Sequence, residues 1–356
     1  MKKLFKITVL VFVVICAALF FACDNGGNTD GKTGLLYKMY DGDDFYTVYG
    51  YVKEEGETEL DIGAFNKDGV VIKRIKTGAF KDNDSLKKIT VPDTVEIIDG
   101  GAFAKMKALE ELNLPFIGKT AVADVYINST PDEKATEKSV EKERNFGYIF
   151  GTEEYDGGVG CTQNYDASNT ETYYLPETLR KISVNPKADG YGIPMYAFSG
   201  NAWINEIVLS ENVKVIGESA FKDNVYLKTV NLENIEKIYD NAFNGAQNFE
   251  KADLKALTFM GNTCFQNCAA LNSVSINTDI KADTFNGCKN LTALTVGENV
   301  NNIGARAFNG CKNITTVEVP GDVDNNSWTV GNLTQELNAE NIKDETYSIL
   351  AWERVD

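Results

Sequence analysis

Chemistry that runs through an imidazole is closed to this chain, because none of its 356 residues is histidine. Serine–histidine and cysteine–histidine nucleophiles, histidine-based zinc hydrolysis and histidine proton shuttles are all removed with it. Carboxylates remain, 52 of them, and a pair could cleave glycosidic bonds if an apolar setting raised one pKa. They fall mostly in turns and on solvent positions with no such setting, so we expect no catalytic residue and no enzyme. Asp322-x-Asp324-x-Asn326 and Asp41-x-Asp43-Asp44 look superficially like calcium loops. Both lack the Gly and Glu that such a loop needs at its sixth and twelfth positions, which leaves turn chemistry. Gly157-Gly158-x-Gly160 has no strand-to-helix pattern around it and cradles no phosphate. No cofactor and no metal are expected.

Seven cysteines raise the alternatives of disulfides and zinc. Cys16 lies in an apolar N-terminal run and Cys23 at its end, leaving Cys161, Cys264, Cys268, Cys288 and Cys311, an odd number that cannot pair completely. Zinc would want four ligands, and Cys264-x-x-x-Cys268 has no second pair at finger spacing. We expect buried thiols, with a disulfide between neighbouring repeats as the alternative.

What must position these residues is an internal repeat. Phe80, Phe103, Phe198, Phe221, Phe243, Phe265, Phe285 and Phe308 recur every 20 to 23 residues apart from one long gap. After each anchor come apolar residues at six, nine and eleven, as in Leu86-x-x-Ile89-x-Val91 and Leu109-x-x-Leu112-x-Leu114. The final alternation is strand-like. Ile75, Ile98, Ile216, Ile238, Met260, Ile280 and Ile303 precede their anchors by five. One unit has no core of its own, so the period predicts a solenoid whose stability comes from stacking.

On these residues the chain resembles the BspA-like (treponemal-type) leucine-rich repeat family of bacterial surface proteins, over about residues 45 to 320. The Asn or Cys expected after the strand in the better-known consensus is replaced by segments such as Pro92-Asp93-Thr94-Val95. A small or polar residue lies instead three past most anchors: Asn83, Asn201, Asn224, Ala246, Cys268, Cys288 and Cys311, with Met106 the exception. The resemblance implies a β-rich solenoid acting as a surface adhesin or interaction scaffold toward host matrix proteins or other bacteria.

At the N-terminus Lys2, Lys3 and Lys6 precede an apolar run from Ile7 to Phe21 that is too short for a comfortable membrane span. Leu19-Phe20-Phe21-Ala22-Cys23 resembles a relaxed lipobox, with Phe20 where Leu is usual. We expect residues 1–22 to be a lipoprotein signal, Cys23 the acylated residue and residues 23–34 a tether. The localisation implied is an exported lipoprotein at the outer membrane or cell surface, with the periplasmic face as the alternative, touching membrane through its lipid alone. A net charge of −17 argues against nucleic acid as a partner.

The remaining divisions are an N-terminal cap and first strands (35–75), repeats (76–118), an insert or long variant repeat (119–172), further repeats (173–320) and a C-terminal cap (321–356). Within the insert, Thr130 to Arg144 reads as a charged, solvent-exposed helix. The aromatic, Gly-rich stretch after it makes Tyr148, Phe150, Tyr155 and Tyr165 candidate contact residues, unless these rings merely pack against the solenoid. A second candidate is the outward strand face: Lys88, Glu111, Glu206, Thr229, Asn231 and Thr316 with their alternating neighbours, a polar row without an aromatic anchor. Partners would be protein, or glycan for an envelope scaffold. In the caps, residues 46–52 read as a strand closing the N-terminal edge, a short helix is expected from about Leu333, and 347–352 is strand-like.

Overall fold

Alternation after each Phe anchor builds one side of every turn. In Glu111–Leu114, Lys181–Val184 and Ser273–Ile276 the second and fourth residues are buried and the first and third face solvent, as the two-residue period of a strand requires. These strands stack in parallel. A computed structural model describes residues 34–355 except 68, 122–141, 167, 202, 320–326 and 331–332. In it Glu59–Asp61, Lys88–Thr90, Glu111–Leu114, Lys181–Val184, Glu206–Leu209 and Thr229–Val230 form a six-stranded front sheet. Lys251–Leu254, Ser273–Ile276, Ala293–Val296 and Thr316–Glu318 continue it as a four-stranded sheet, joined by Glu250 N–H donating to Lys228 O at 3.2 Å.

One unit is easily missed in the sequence: Phe249-x-x-Ala252-x-Leu254 puts a ring where Leu is usual and Ala where a branched residue is usual. The two exchanges compensate in volume, and Phe249 packs on Phe243 at 5.1 Å between ring centroids.

The back of each turn carries a second, shorter parallel ladder. Ile193, Ile216, Ile238 and Met260 pair in register, and a bridge joins Ile280 to Ile303. Between front and back runs the corner built on the Phe anchors. Along the regular stretches their rings stack at 5.0 to 5.6 Å with interplanar angles of 3 to 18°. The backbone interlocks beside them: Phe80 N–H donates to Ala102 O at 2.9 Å and Phe243 N–H to Cys264 O at 2.7 Å.

Two residues of every regular unit, two before and two after the Phe, adopt positive φ. In the unit of Phe265 these are Thr263 (φ 55°) and Asn267 (φ 61°), and in that of Phe308 Arg306 (58°) and Gly310 (80°). Only some are glycine, so composition does not reveal the rule. The inter-turn hydrogen bonds, such as Asn267 N–H to Asn286 O at 2.8 Å, hold the unfavourable conformation in place.

In four units the slot three past the Phe holds a donor. Cys268, Cys288 and Cys311 thiols reach the carbonyls of Phe243, Phe265 and Phe285 at 3.2, 3.1 and 3.1 Å, and Asn224 Nδ2 reaches Phe198 O at 2.7 Å. Cys and Asn interchange there because both satisfy a buried carbonyl. All five described cysteines are free and buried. Burial pushes the Cys161 thiol up to about 12 and raises Cys264, Cys268 and Cys288 as well. In protein lacking residues 1–33, Ellman's reagent is therefore expected to find no reactive thiol in the folded state at neutral pH and five on unfolding; rapid native labelling would contradict the ladder.

Both caps differ from their sequence expectations. Tyr46–Val52 is a strand, but the edge is formed by Gly34–Met39, antiparallel to it, with Lys38 exposed on the rim. At the other end no helix starts at Leu333: Leu333–Glu336 is a strand antiparallel to Ser327–Val330. Residues 347–350 make a turn, and the strand is Trp352–Arg354, pairing Trp352 with Ile303. An indole there closes the apolar column that the back ladder leaves open, which a local pattern cannot reveal. The expected helix from Thr130 lies outside the described residues except for a single 3-10 turn at Lys142–Arg144.

Candidate functional site

The gap between Phe103 and Phe198 interrupts the period without interrupting the stack. Glu111–Leu114 pairs directly with Lys181–Val184 in the front sheet. In the corner, residues 145–151 stand in for the missing anchor: Gly101 N–H donates to Tyr148 O at 3.0 Å, Phe103 N–H to Ile149 O at 2.9 Å, and Phe146 N–H to Ala197 O at 2.9 Å. Phe146 and Phe150 carry the rings across, Phe150 lying 6.2 Å from Phe103 and Phe146 lying 4.9 Å from Phe198. What projects is the antiparallel hairpin Gly158–Asn164 with Thr170–Pro176.

That hairpin hangs on one buried amide. Gln163 accepts from Gly147 N–H at 2.7 Å and donates to Ala197 O at 2.9 Å. Beside it, Asn145 Nδ2 donates to Asn164 O at 2.7 Å. Neither polar residue stands out in the sequence, where the aromatics draw the eye.

The candidate aromatics of the insert occupy structural positions. Phe150 is 1% exposed and belongs to the core. Tyr148 lies over Gly100, where a Cβ would sit 2.9 Å from the ring, and Tyr155 lies over Gly158 in the same way at 2.5 Å. At both glycines a ring is laid on bare backbone. Tyr165 is half-buried near the hairpin tip, its N–H donating to Asn169 O at 3.1 Å.

The strand face is brought together as one surface, with its charges set against each other. Down the first outward column run Glu59, Lys88, Glu111, Lys181 and Glu206 in register. Lys88 bridges Glu111 and Lys181 bridges Glu206, each at 3.1 Å. Asn231 accepts from Leu209 N–H and donates to Leu209 O, both at 2.7 Å, extending a two-residue strand by its side chain. Lys88, Glu111, Glu206 and Asn231 are therefore already engaged, while Thr229 and Thr316 are exposed. Sequence reasoning missed Glu59, Lys181 and Lys251 in this column. It also missed Trp203 and Tyr226, which rim the face from the loop before the strand.

One carboxylate departs from expectation. Burial raises the pKa of Glu218, with the charge of Asp240 in the next turn adding to it. Asp240 serves as a turn cap, accepting from Asn262 N–H at 2.8 Å. Because the folded state holds the Glu218 proton more tightly than the unfolded chain, its contribution is favourable below the ordinary carboxylate range and lost as pH rises through the raised value. Glu218→Gln is expected to be more stable than the parent at neutral pH, with the difference vanishing near pH 4 in urea titrations. An unchanged difference across that range would exclude the effect.

A shallow concavity of about 310 Å³ lies against the C-terminal cap between Asp279, Lys281, Asn302, Trp352 and Glu353. Burial alone would raise Asp279, but hydrogen bonds from Asn302 and Asn301 outweigh it and hold its carboxyl below the usual range. Among the described residues no group of three or more Cys, Asp or Glu gathers as metal ligands. Asp322, Asp324 and Asn326 lie outside them, as does Cys23. No described helix is long and apolar enough to cross a membrane.

Parallel strands on the front, a second ladder behind and a ring-stacked corner between them define a leucine-rich repeat solenoid. The model of the BspA-type leucine-rich repeat region matches residues 71–130, 191–315 and 258–345 in six copies, more than half of the chain. The chain belongs to that family. No curated protein matches it. Among solved structures it is similar to a leucine-rich repeat protein of T. pallidum, at 16% identity over 79% of this chain and 88% of that one, with a TM-score of 0.28. A leucine-rich cell surface protein of Faecalibacterium prausnitzii matches at 15% identity over 83% and 77%, TM-score 0.34. One from Eubacterium ventriosum matches at 18% over 81% and 83%, TM-score 0.31. At these values the assignment rests on the repeat model.

Proposed function

We propose that this protein is an exported lipoprotein, acylated at Cys23, whose solenoid stands outside the cytoplasm and binds protein partners at the cell surface, as an adhesin toward host matrix proteins or other bacteria. The observation that carries the reading is the front face: outward side chains held in register by parallel strands from Glu59 to Glu318, a long continuous surface. Solenoids use such surfaces to take large ligands along their length. The N-terminal pattern, basic residues followed by a short apolar run ending at Cys23, supports the anchor.

Protease treatment of intact cells tests the placement. Loss of the protein while a periplasmic control survives is the expected result. Survival would move the solenoid to the inner face of the envelope and remove the adhesin. Metabolic labelling with an alkynyl fatty acid, expected for the parent and absent from Cys23→Ser, tests the anchor separately.

A further inference from the structure

Three side chains at the front break the pattern of their own columns, and they do so in two adjacent turns. Five residues past the anchor, regular units carry Ser85, Ala108, Asn248, Ala270, Asn290 or Asn313, whereas the turns of Phe198 and Phe221 carry Trp203 and Tyr226. Outward strand positions are otherwise polar or small, yet the turn of Phe198 presents Val208. Tyr226 is 56% exposed, more than any other large apolar side chain among the described residues, and Val208 is 36% exposed. Trp203 is half-buried and its Nε1 donates to Pro176 O at 3.2 Å, which fixes the ring at the foot of the projecting hairpin. The charge ladder is interrupted after Glu206, where its next member is the uncharged Thr229.

Aromatic residues and an aliphatic one on the outward side of two adjacent turns, among polar residues, have the make-up of an energetic centre in a protein interface. Val208 and Tyr226 do not pack on the core, while Trp203 lies half-buried against it, above the fully buried Phe198, Phe221, Ile204 and Leu227. The carboxylates of Glu177, Asp223 and Glu250 and the cations of Arg180, Lys222 and Lys228 border the same turns and balance one another, and the whole chain carries −17. An approaching acidic surface is repelled by that field and a basic one is drawn in.

We propose that Trp203, Val208 and Tyr226 are the anchor point of the binding face, and that they receive an aliphatic or aromatic side chain on a segment of a net-basic protein. This rests on the front-face binding proposed above.

The test uses the mature chain and three fluorescent peptides of equal length. One alternates lysine with leucine and phenylalanine, one replaces its lysines by glutamate, and one keeps the lysines but replaces leucine and phenylalanine by serine. The lysine–leucine–phenylalanine peptide is expected to bind the parent most tightly and to weaken as salt is raised. It should bind Tyr226→Ala about tenfold more weakly, and Tyr49→Ala, at the N-terminal cap, as well as it binds the parent. Equal thermal midpoints for parent and variants check that the fold is kept. Preference for the glutamate peptide, or undiminished binding to Tyr226→Ala, overturns the proposal. In the latter case, loss of binding on front-face Ser275→Arg would keep the front-face reading and displace only its anchor; retention there too would overturn both.

Discussion

Phe243→Ala is expected to cost roughly 3–5 kcal/mol of folding stability, the range for removing a buried ring that its surroundings cannot refill. Phe243 is fully buried and lies 5.0 Å from Phe221, 5.1 Å from Phe249 and 5.1 Å from Phe265 between centroids, so its loss leaves a gap bordered by three rings. In a solenoid each turn is stabilised by its neighbours, and a gap in mid-array weakens the coupling between the halves. Urea unfolding of the variant should therefore broaden or split into two transitions. A single transition shifted by less than about 1 kcal/mol would mean that the stacked rings contribute little beyond filling space.

Gln163→Leu should also be destabilising, through a different mechanism. Leucine fills much of the volume but leaves Gly147 N–H buried without its acceptor, at about 1–3 kcal/mol for the orphaned amide, and removes one of the two donors to Ala197 O, whose other is Phe146 N–H. The damage should be local, with proteolysis opening residues 145–176 while the turns from Phe221 onward stay protected. Gln163→Glu sharpens the test. Ionised, the carboxylate still accepts from Gly147 but repels the Ala197 carbonyl, whereas protonated it can donate to it. The buried acid's pKa should be raised, so this variant should be weak at neutral pH and recover as pH falls. Recovery at low pH by Gln163→Leu as well, or protection of the hairpin in either variant at neutral pH, would show that the amide does not hold it.

Much of this architecture was legible in the residues. The period of the Phe anchors and the alternation after them located most front strands, because a strand buried on one face must place its apolar residues two apart. The unit of Phe243 escaped because volume was exchanged between Phe249 and Ala252, and the C-terminal cap was misread because antiparallel pairing, not the repeat period, fixes its strands. Leu333–Glu336 becomes a strand by pairing with Ser327–Val330, and the turn before Trp352 exists so that the indole can cover Ile303. Left-handed corner residues such as Thr263 and Arg306 gave no local sign, since neighbouring turns impose their conformation.

The candidate site was less legible. Tyr148, Phe150 and Tyr155 were visible as aromatics, but whether a ring meets a partner or its own backbone depends on glycines such as Gly100, in another turn. Lys88, Glu111, Glu206 and Asn231 were visible as outward residues, but neighbouring turns engage their charges and amides.

By itself the sequence determined the repeat, the family and the chemistry closed to a chain without histidine, because period and composition are local properties that survive without coordinates. Tertiary structure decided which side chains of the repeat are spent on one another and which are left over. It singled out Trp203 and Tyr226, whose exposure follows from the stacking of turns whose residues lie more than twenty apart in the chain.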